Sequence, residues 1–539
     1  MSDVERTSAT VALSGDAEKA PRHSSQAAAG IGPHVDNSDP DEALKLVGGE
    51  AVVLTPEDEK RLLRKIDRNM MPLLCIVYGL NYLDKTTLSY ASIMGIKKDL
   101  NLVGMFASPM AFLLRDVANV FFVVCSRPGL LSSIFYFGYL FWEWPTNRLL
   151  QRLPLAKYSA INVIMWGLTL CCLAAVKDFG GAMTVRFFLG AFEAAVSPGF
   201  ALFTSQWYTK REQGTRVAWW FGFNGWAQIV GGFVAYGIAV GTEAHPILIK
   251  SWQLIFLVTG FFTAFMGGLF LYLMPDSQLN ARFLTEQERV MAVERIRVNQ
   301  QGVGNKHFKW YQCKEALTDP MIWAFVLYSV IFSIPNGGVS NYFSQLIVSF
   351  GFTDNQSLLL GAPGGAIQII TLLAAGYLGD RFKNRILFGA AGVLIAAVGL
   401  LMILVIPVSN SGGRLAGYYL YQSATTGFVA LLGLISTNVA GWTKKTTAAA
   451  MYLVAYCVGN IIGPQVFQST DAPQYRNANI TLIVCVFVAL AILIFINVWC
   501  RRQNKVKAAI RASPGYAKVD GQEFLDLTDR ENPEFIYSL

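Results

Sequence analysis

The sequence predicts an all-α membrane protein with twelve transmembrane helices in two six-helix halves joined by a polar linker. Three observations carry this reading. The 539-residue chain is 53% hydrophobic and 15% charged, with a mean hydropathy of +0.40, too apolar for a soluble protein of this length. Its apolar runs recur at about the 20 residues that a helix needs to cross a bilayer. Finally, LTPEDEKRLLRKID at 54–67 is echoed by LTEQERVMAVERIR at 284–297. Each copy precedes a block of six spans, the mark of two related halves.

The bulk numbers exclude several classes. A net charge of +8 could point to nucleic acid, but the basic residues sit in short clusters between apolar runs, as topology signals do. The eight cysteines form no CxxC. Six of them, Cys75, Cys171, Cys172, Cys457, Cys485 and Cys500, lie in or beside apolar runs, so they read as packing residues rather than metal ligands or disulfides. His23, His34, His245 and His307 all fall outside the spans, which argues against a buried histidine relay. With no metal-ligand cluster, nucleophile elbow or phosphate loop, the chain is read as a non-enzyme without cofactor.

Residues 1–53, rich in Ser, Ala, Gly, Asp and Pro, read as a disordered tail without a cleavable signal peptide. The first half then covers 54–275. Thr55 can cap and Pro56 suits a first helical position, so a short surface helix should lead into the first span, 70–96. That span holds Asp84 and Lys85, about 20 Å along the helix from Met70, past the midplane. Being about 100° apart, they cannot point the same way; one can face a cavity while the other pairs with a neighbouring helix.

Residues 104–129 form an anomalous insert, in which Arg115 and Asp116 split the apolar residues into pieces too short to span. The second span, 130–150, carries Glu143 in FWEWP, where a salt bridge to a loop cation is the favoured reading. The third span is 158–176. The fourth, 180–207, contains RFFLGAFEAAVSPGF, with Arg186 and Glu193 about 10 Å apart on one face and an interruption at Pro198 and Gly199. Charges at such depth normally face a bundle interior or an aqueous cavity. The alternative is an ion pair that only locks helices together. The fifth span, 217–240, puts Asn224 and Gln228 on one face, as pathway lining or as interhelical glue. The sixth is 252–274.

The linker, 276–319, contains a capping box at Thr285 and Glu288. The second half, 320–502, has spans near 320–343, 357–378, 386–406, 415–440, 446–467 and 479–500, followed by a cytoplasmic tail at 503–539. Its spans offer neutral polar contacts at Asn336, Asn341, Gln345, Gln368, Tyr421, Gln422, Asn438, Asn460 and Gln465. Pro335 and the Gly463-Pro464 pair are candidate helix breaks. With the N-terminus inside, fifteen basic residues face the cytoplasm against eight outside, which places both termini in the cytoplasm.

At this point the chain resembles the major facilitator superfamily, and within it the anion:cation symporters, in particular the fungal allantoate permease-like branch. NYLDKTTLSYA, SSIFYFGYLFWEWPTNRLLQRLP, RFFLGAFEAAVSPGF, GYLGDRFKNR and YCVGNIIGPQVF carry the resemblance, which covers roughly residues 54–505. It implies proton-coupled uptake of a small organic anion of ureide, vitamin or carboxylate type by alternating access. It also implies a monomer in the lipid bilayer of the plasma membrane. By position, Lys85 and Arg186 become candidates for the substrate anion; Asn224, Gln228, Asn341 and Gln422, read from the residues alone, are candidate polar contacts. Glu193 and Asp84 become candidates for proton coupling. Gly376, Asp380 and Arg381 match a gating loop motif. The chain departs from the pattern at 104–129, where the family has a short loop and this sequence has either a genuine loop or a translated intron. A nutrient sensor on the same scaffold is a different reading, against which the short tails argue. A neutral-solute uniporter would leave the cost of five intramembrane charges unexplained.

Overall fold

The computed structural model describes residues 55–100, 127–245, 248–297, 309–468, 471, 475–513, 516 and 527–539. Among them the regular structure is helical, with no strand. The first half comprises α1 (Pro56–Ile93), α2 (Ile96–Asp99), α3 (Arg127–Arg152), α4 (Leu155–Leu173), α5 (Phe179–Glu193), α6 (Val196–Trp207), α7 (Lys210–Ala244) and α8 (Ser251–Leu273). The linker holds α9 (Glu286–Arg297) and α10 (Trp310–Thr318). The second half comprises α11 (Pro320–Ser349), α12 (Asp354–Leu360), α13 (Ala362–Arg381), α14 (Arg385–Val405), α15 (Ser411–Tyr421), α16 (Thr425–Asn438), α17 (Trp442–Val466) and α18 (Arg476–Arg511).

Among the described residues, nine helical segments are long and apolar enough to cross a membrane. The helices α1 and α3 and the α15–α16 pair run beside them, an arrangement compatible with twelve spans. Residues 104–126 of the anomalous insert lie outside the described residues, and α3 begins at Arg127 rather than at 130.

The helix starts follow the local chemistry. The Thr55 side chain accepts from the Asp58 amide at 3.2 Å, with Pro56 in the first turn. Contrary to the expected separate surface helix, α1 is one 38-residue helix. Leu62, Ile66 and Met70 are buried at four-residue spacing, so one stripe carries the chain into the bundle without a turn. In the linker, the Thr285–Glu288 capping box forms in both directions, at 2.9 and 3.3 Å.

The helix break expected in the fourth span is present, whereas those expected in the second half are not. Pro335 and Pro464 both lie inside unbroken helices, their loosened backbone covered where α11 and α17 pack on each other. The fourth span does break, between Glu193 and Val196. Pro198 has no amide to donate to the Ala194 carbonyl, and its ring crowds that group. A second break, at Gln422–Ala424, is a 3-10 turn between α15 and α16.

Small residues bring helices close enough to fix the charge cluster. A Cβ added at Gly190 would lie 1.9 Å from the Phe135 carbonyl oxygen, and one at Gly138 would lie 2.0 Å from that of Phe187. Thus α3 and α5 touch backbone to backbone.

Hydrogen bonds between the halves gather at the end away from the linker. The Ser344 amide donates to Ser89 Oγ at 3.1 Å, Lys97 Nζ to Gln345 Oε1 at 2.6 Å, and Gln345 Nε2 to Ser92 Oγ at 2.7 Å. Gln465 Nε2 donates to Ser133 Oγ at 3.0 Å. At the linker end the ion pairs tie each half to its own attachments. In the first half, Lys65 meets Glu288 at 2.5 Å, and Arg295 meets Glu59 and Glu212.

In the second half the chain's last residues dock on the bundle. The terminal helix runs on to Arg511, beyond the expected end near 500. Asp529 is fully buried and meets Lys444 at 2.7 Å; the same ammonium meets Glu315 and Asp319, each at 2.8 Å. The Tyr537 hydroxyl donates to Asp529 Oδ2 at 2.8 Å. Burial, reinforced by the Asp529 charge, pushes that phenol above its ordinary range. The Arg385 amide donates to the Leu539 carbonyl oxygen at 2.6 Å.

Candidate functional site

Three helices of the first half build a buried charge cluster around α1. Lys85 Nζ lies 2.6 Å from Glu193 Oε1 on α5, and Glu193 is fully buried. Asn81, one turn before Lys85, closes the arrangement. Its Nδ2 donates to the same Glu193 oxygen at 2.7 Å, while its Oδ1 accepts from Lys85 Nζ at 2.9 Å. Glu193 Oε2 has no hydrogen-bond partner. The adjacent Asp84 points to another helix and accepts from the indole Nε1 of Trp166, on α4, at 2.8 Å. Both acidic and basic members of the pair are therefore held by neighbouring helices.

Arg186 is 3% exposed, and its Nε lacks a partner. It is within electrostatic reach of Asp84 and Glu193. Its guanidinium carbon lies 5.9 Å from the centre of the Phe135 ring, and Lys85 Nζ lies 5.7 Å from the same ring. One aromatic ring of α3 thus attracts both cations through its quadrupole. The direct partner of Glu193 is Lys85, on another helix, and not Arg186, seven residues before it.

Beside this cluster lies a small polar cavity between the halves. Tyr82 of α1 and Gln228 of α7 line it from the first half, and Asn336, Gln368, Tyr418 and Gln422 are among its second-half lining. Gln228 Nε2 donates to the Tyr418 hydroxyl at 2.9 Å and to the Gly361 carbonyl at 3.0 Å, while its Oε1 is unpartnered. The buried Gln368 Oε1 is also unpartnered, and its Nε2 donates to Thr425 Oγ1 at 3.1 Å. Such a wall of amides and phenols can hydrogen-bond a polar solute from several sides. Tyr82 is within electrostatic reach of Lys85, which places the cavity next to the cations.

The other candidates are dispersed. Asn224 is buried with its Oδ1 unpartnered, outside the cavity lining. Asn341 is also outside it, and its Nδ2 donates to the Gly337 carbonyl of its own helix at 2.7 Å. At the linker end of α13, Asp380 Oδ1 accepts from Arg385 Nε at 2.7 Å, while Gly376 and Arg381 are exposed. Among the described residues Glu143 does not make the expected salt bridge. It is 8% exposed, accepts from Asn147 Nδ2 at 2.8 Å through Oε1, and has an unpartnered Oε2. Its neighbours Phe141 and Trp144 face outward, 65% and 79% exposed, so the α3 surface turns the carboxyl into the bundle.

Sequence reasoning missed Asn81, Phe135, Trp166 and Tyr418. Asn81 carried a signal, being four residues before Lys85 on one helix face. The aromatic residues carried none that distinguishes them from the many lipid-facing rings.

Comparisons with known proteins bear on this arrangement. The Major Facilitator Superfamily family profile matches residues 74–464. An uncharacterized transporter of Schizosaccharomyces pombe is 39% identical over 493 residues, covering 90% of this chain and 91% of the relative. The allantoate permease of Saccharomyces cerevisiae is 36% identical over 519 residues, covering 93% and 90%. A thiamine pathway transporter of the same yeast is 33% identical over 479 residues, covering 88% and 86%. Among solved structures, a bacterial homolog of the human lysosomal transporter Spinster, in an inward-facing and occupied conformation, is similar with a TM-score of 0.55 and 14% identity. The match covers 83% of this chain and 98% of that one.

Proposed function

Because the chain belongs to the major facilitator superfamily, we propose that it takes up a small organic anion with protons by alternating access. The observation that carries this reading is the Lys85–Glu193 pair, its carboxylate fully buried and closed by Asn81, with one Glu193 oxygen left free. In a site of low dielectric an anion is drawn to a cation far more strongly than in water. A carboxylate of the solute approaching Lys85 and Arg186 competes with Glu193 for the ammonium. Glu193, losing its counter-charge, takes a proton at Oε2. Substrate and proton then occupy the cluster together, and neither alone leaves it electrically balanced.

Asp84, held by Trp166 near Arg186, balances the second cation and is the other candidate for coupling. The amides of Gln228, Asn336, Gln368 and Gln422 would hold the uncharged part of the solute. They favour a molecule rich in N–H and C=O groups, such as the allantoate named for one relative, over a plain carboxylate or a vitamin. Asn224 and Asn341 would contribute as the cavity changes shape.

The linker end is assigned to the cytoplasm, with the protein acting as a monomer in the plasma membrane. The bonds of Ser89, Ser92, Lys97 and Gln345 then close the outer side, while the Asp380–Arg385 pair, with Gly376 and Arg381 nearby, serves the inner gate. The test is uptake of labelled organic anions into yeast lacking its own permeases, at acidic and neutral pH. Acid-stimulated accumulation of one anion is expected, lost on Glu193→Gln. A Glu193→Gln variant that accumulates as well as the parent overturns the coupling role.

A further inference from the structure

Glu143 is a buried carboxyl outside the Lys85–Glu193 cluster. Its Oε1 accepts from the neutral side chain of Asn147 on its own helix, its Oε2 has no partner, and the residue is 8% exposed. Burying a carboxyl with so little compensation is costly, and inside a membrane span such a group defaults to a functional reading. Its position gives it a task. Tyr139, one turn earlier on α3, is buried and within electrostatic reach of both Glu143 and Glu193. Ser197, just past the break in the fourth span, approaches the Tyr139 hydroxyl. The close packing of α3 on α5 at Gly190 fixes Tyr139 beside the Glu193 end of α5.

From Tyr139 to Glu143 the helix rises about 6 Å toward the linker end, and Glu143 lies about 13 Å short of Arg152. It therefore stands between the charge cluster and the linker-side surface. From α17 in the other half, Cys457 is within electrostatic reach of both Glu143 and Lys85, and Tyr456 is within reach of Glu193. Glu143 thus sits at a seam between the halves, where relative movement changes access to water. The charged groups around Glu193 itself are Lys85, Asp84 and Arg186.

We propose that Glu143 is the linker-side proton-release site of the transport cycle, receiving through the Tyr139 hydroxyl the proton that Glu193 gives up. This rests on the reading of Glu193 as the coupling carboxyl. The step balances without a further reactant. Glu193 loses the proton from Oε2 and re-forms its ion pair with Lys85. As the halves move, the Tyr139 hydroxyl, which contacts neither Oε2 in this conformation, accepts that proton while donating its own to Glu143 Oε2, and Glu143 then releases a proton to water at the linker end. Tyr139 is a relay and Asn147 a positioning residue.

The experiment uses the full-length protein in proteoliposomes and the anion identified in the yeast screen, comparing net uptake driven by a proton gradient with exchange of internal for external substrate. Exchange returns a loaded carrier and requires no proton release, whereas net uptake does. Glu143→Gln is expected to reduce net uptake on the order of 100-fold, the scale of a lost proton-transfer group, and to leave exchange within about twofold. Unchanged net uptake, or equal loss of exchange and net uptake, overturns the proposal, the second outcome marking a structural residue. If Glu143→Gln fails to reach the membrane, Glu143→Asp decides. It should shift the pH profile of net uptake but not of exchange, and a profile that overlays the parent's refutes the release site. Failure of the parent itself to couple uptake to protons would refute the Glu193 reading instead.

Discussion

Replacing Lys444 with Met probes how the second half is held at the linker end. The lysine is fully buried and donates to Glu315, Asp319 and Asp529 at 2.7–2.8 Å. Methionine keeps the length and apolar stem but removes the charge and all three donors. Glu315 is partly solvated, so the penalty falls on Asp319 and Asp529, whose side chains are 3% and 1% exposed. Asp319 would keep Arg530 at 3.2 Å and the Met321 amide at 2.9 Å; Asp529 would keep the Tyr537 hydroxyl. Breaking a buried pair by removing one partner costs about 3–5 kcal/mol, and the surviving donors place Lys444→Met at the lower end. Asp529→Asn keeps the shape and removes one of the carboxylates, so its loss should be near 1.5 kcal/mol, the scale of one charged hydrogen bond. In the double variant the methionine faces one fewer stranded anion, and the two losses should sum to less than their separate values. Unfolding in mixed micelles titrated with sodium dodecyl sulfate measures all three. A Lys444→Met protein within about 0.5 kcal/mol of the parent, the range of an ordinary surface substitution, would refute the view that this cluster anchors the docked terminal segment.

Further predictions concern the bundle and its closure at the end away from the linker. Gly190→Ala puts a Cβ against the Phe135 carbonyl and should destabilise by at least ~1–3 kcal/mol, as overpacking does, with altered Lys85–Glu193 geometry read out as weaker substrate binding. Gly225→Ala, whose Cβ would lie 2.5 Å from the Gly365 carbonyl oxygen across the halves, should shift the population away from this conformation; labelling of single cysteines at the two ends checks the shift. The contact at the end away from the linker should also respond to alkali. Burial lowers the Lys97 ammonium to about 8 from 10.5, so the closed state disfavours the charged form relative to an opened state in which Lys97 is solvated. Its penalty is complete below pH 8 and disappears as pH rises toward 10.5, so closure should strengthen across that window. Lys97→Met should abolish the dependence in a distance measurement between spin labels at the ends away from the linker.

Much of the fold was legible because the bilayer imposes it. Hydropathy located the spans, and the repeated capping signal at Thr55 and Thr285 revealed two halves. The separate surface helix was misread because the Leu62–Ile66–Met70 stripe continues without a turn. Breaks were expected at Pro198, Pro335 and Pro464; only the fourth span breaks, while Pro335 and Pro464 are held inside helices packed on each other. Within the cluster, helical spacing could say that Arg186 and Glu193 share a face. It could not say that Lys85 reaches Glu193 from another helix, since the partner depends on the Gly138 and Gly190 approach. Gln228 and Gln422 were found as polar residues in apolar runs, whereas Tyr418 resembled any interfacial tyrosine. The buried, unsalted state of Glu143 was hidden because its aromatic neighbours suggested an interface.

The central claim is that an anion on Lys85 and a proton on Glu193 travel together. Its most direct test is proton movement recorded with a pH-sensitive dye inside proteoliposomes as external substrate is added. Coupling of the anion to a proton on Glu193 should give substrate-induced acidification of the interior that disappears in Glu193→Gln; substrate entering the parent vesicles with no proton movement would rule the coupling out.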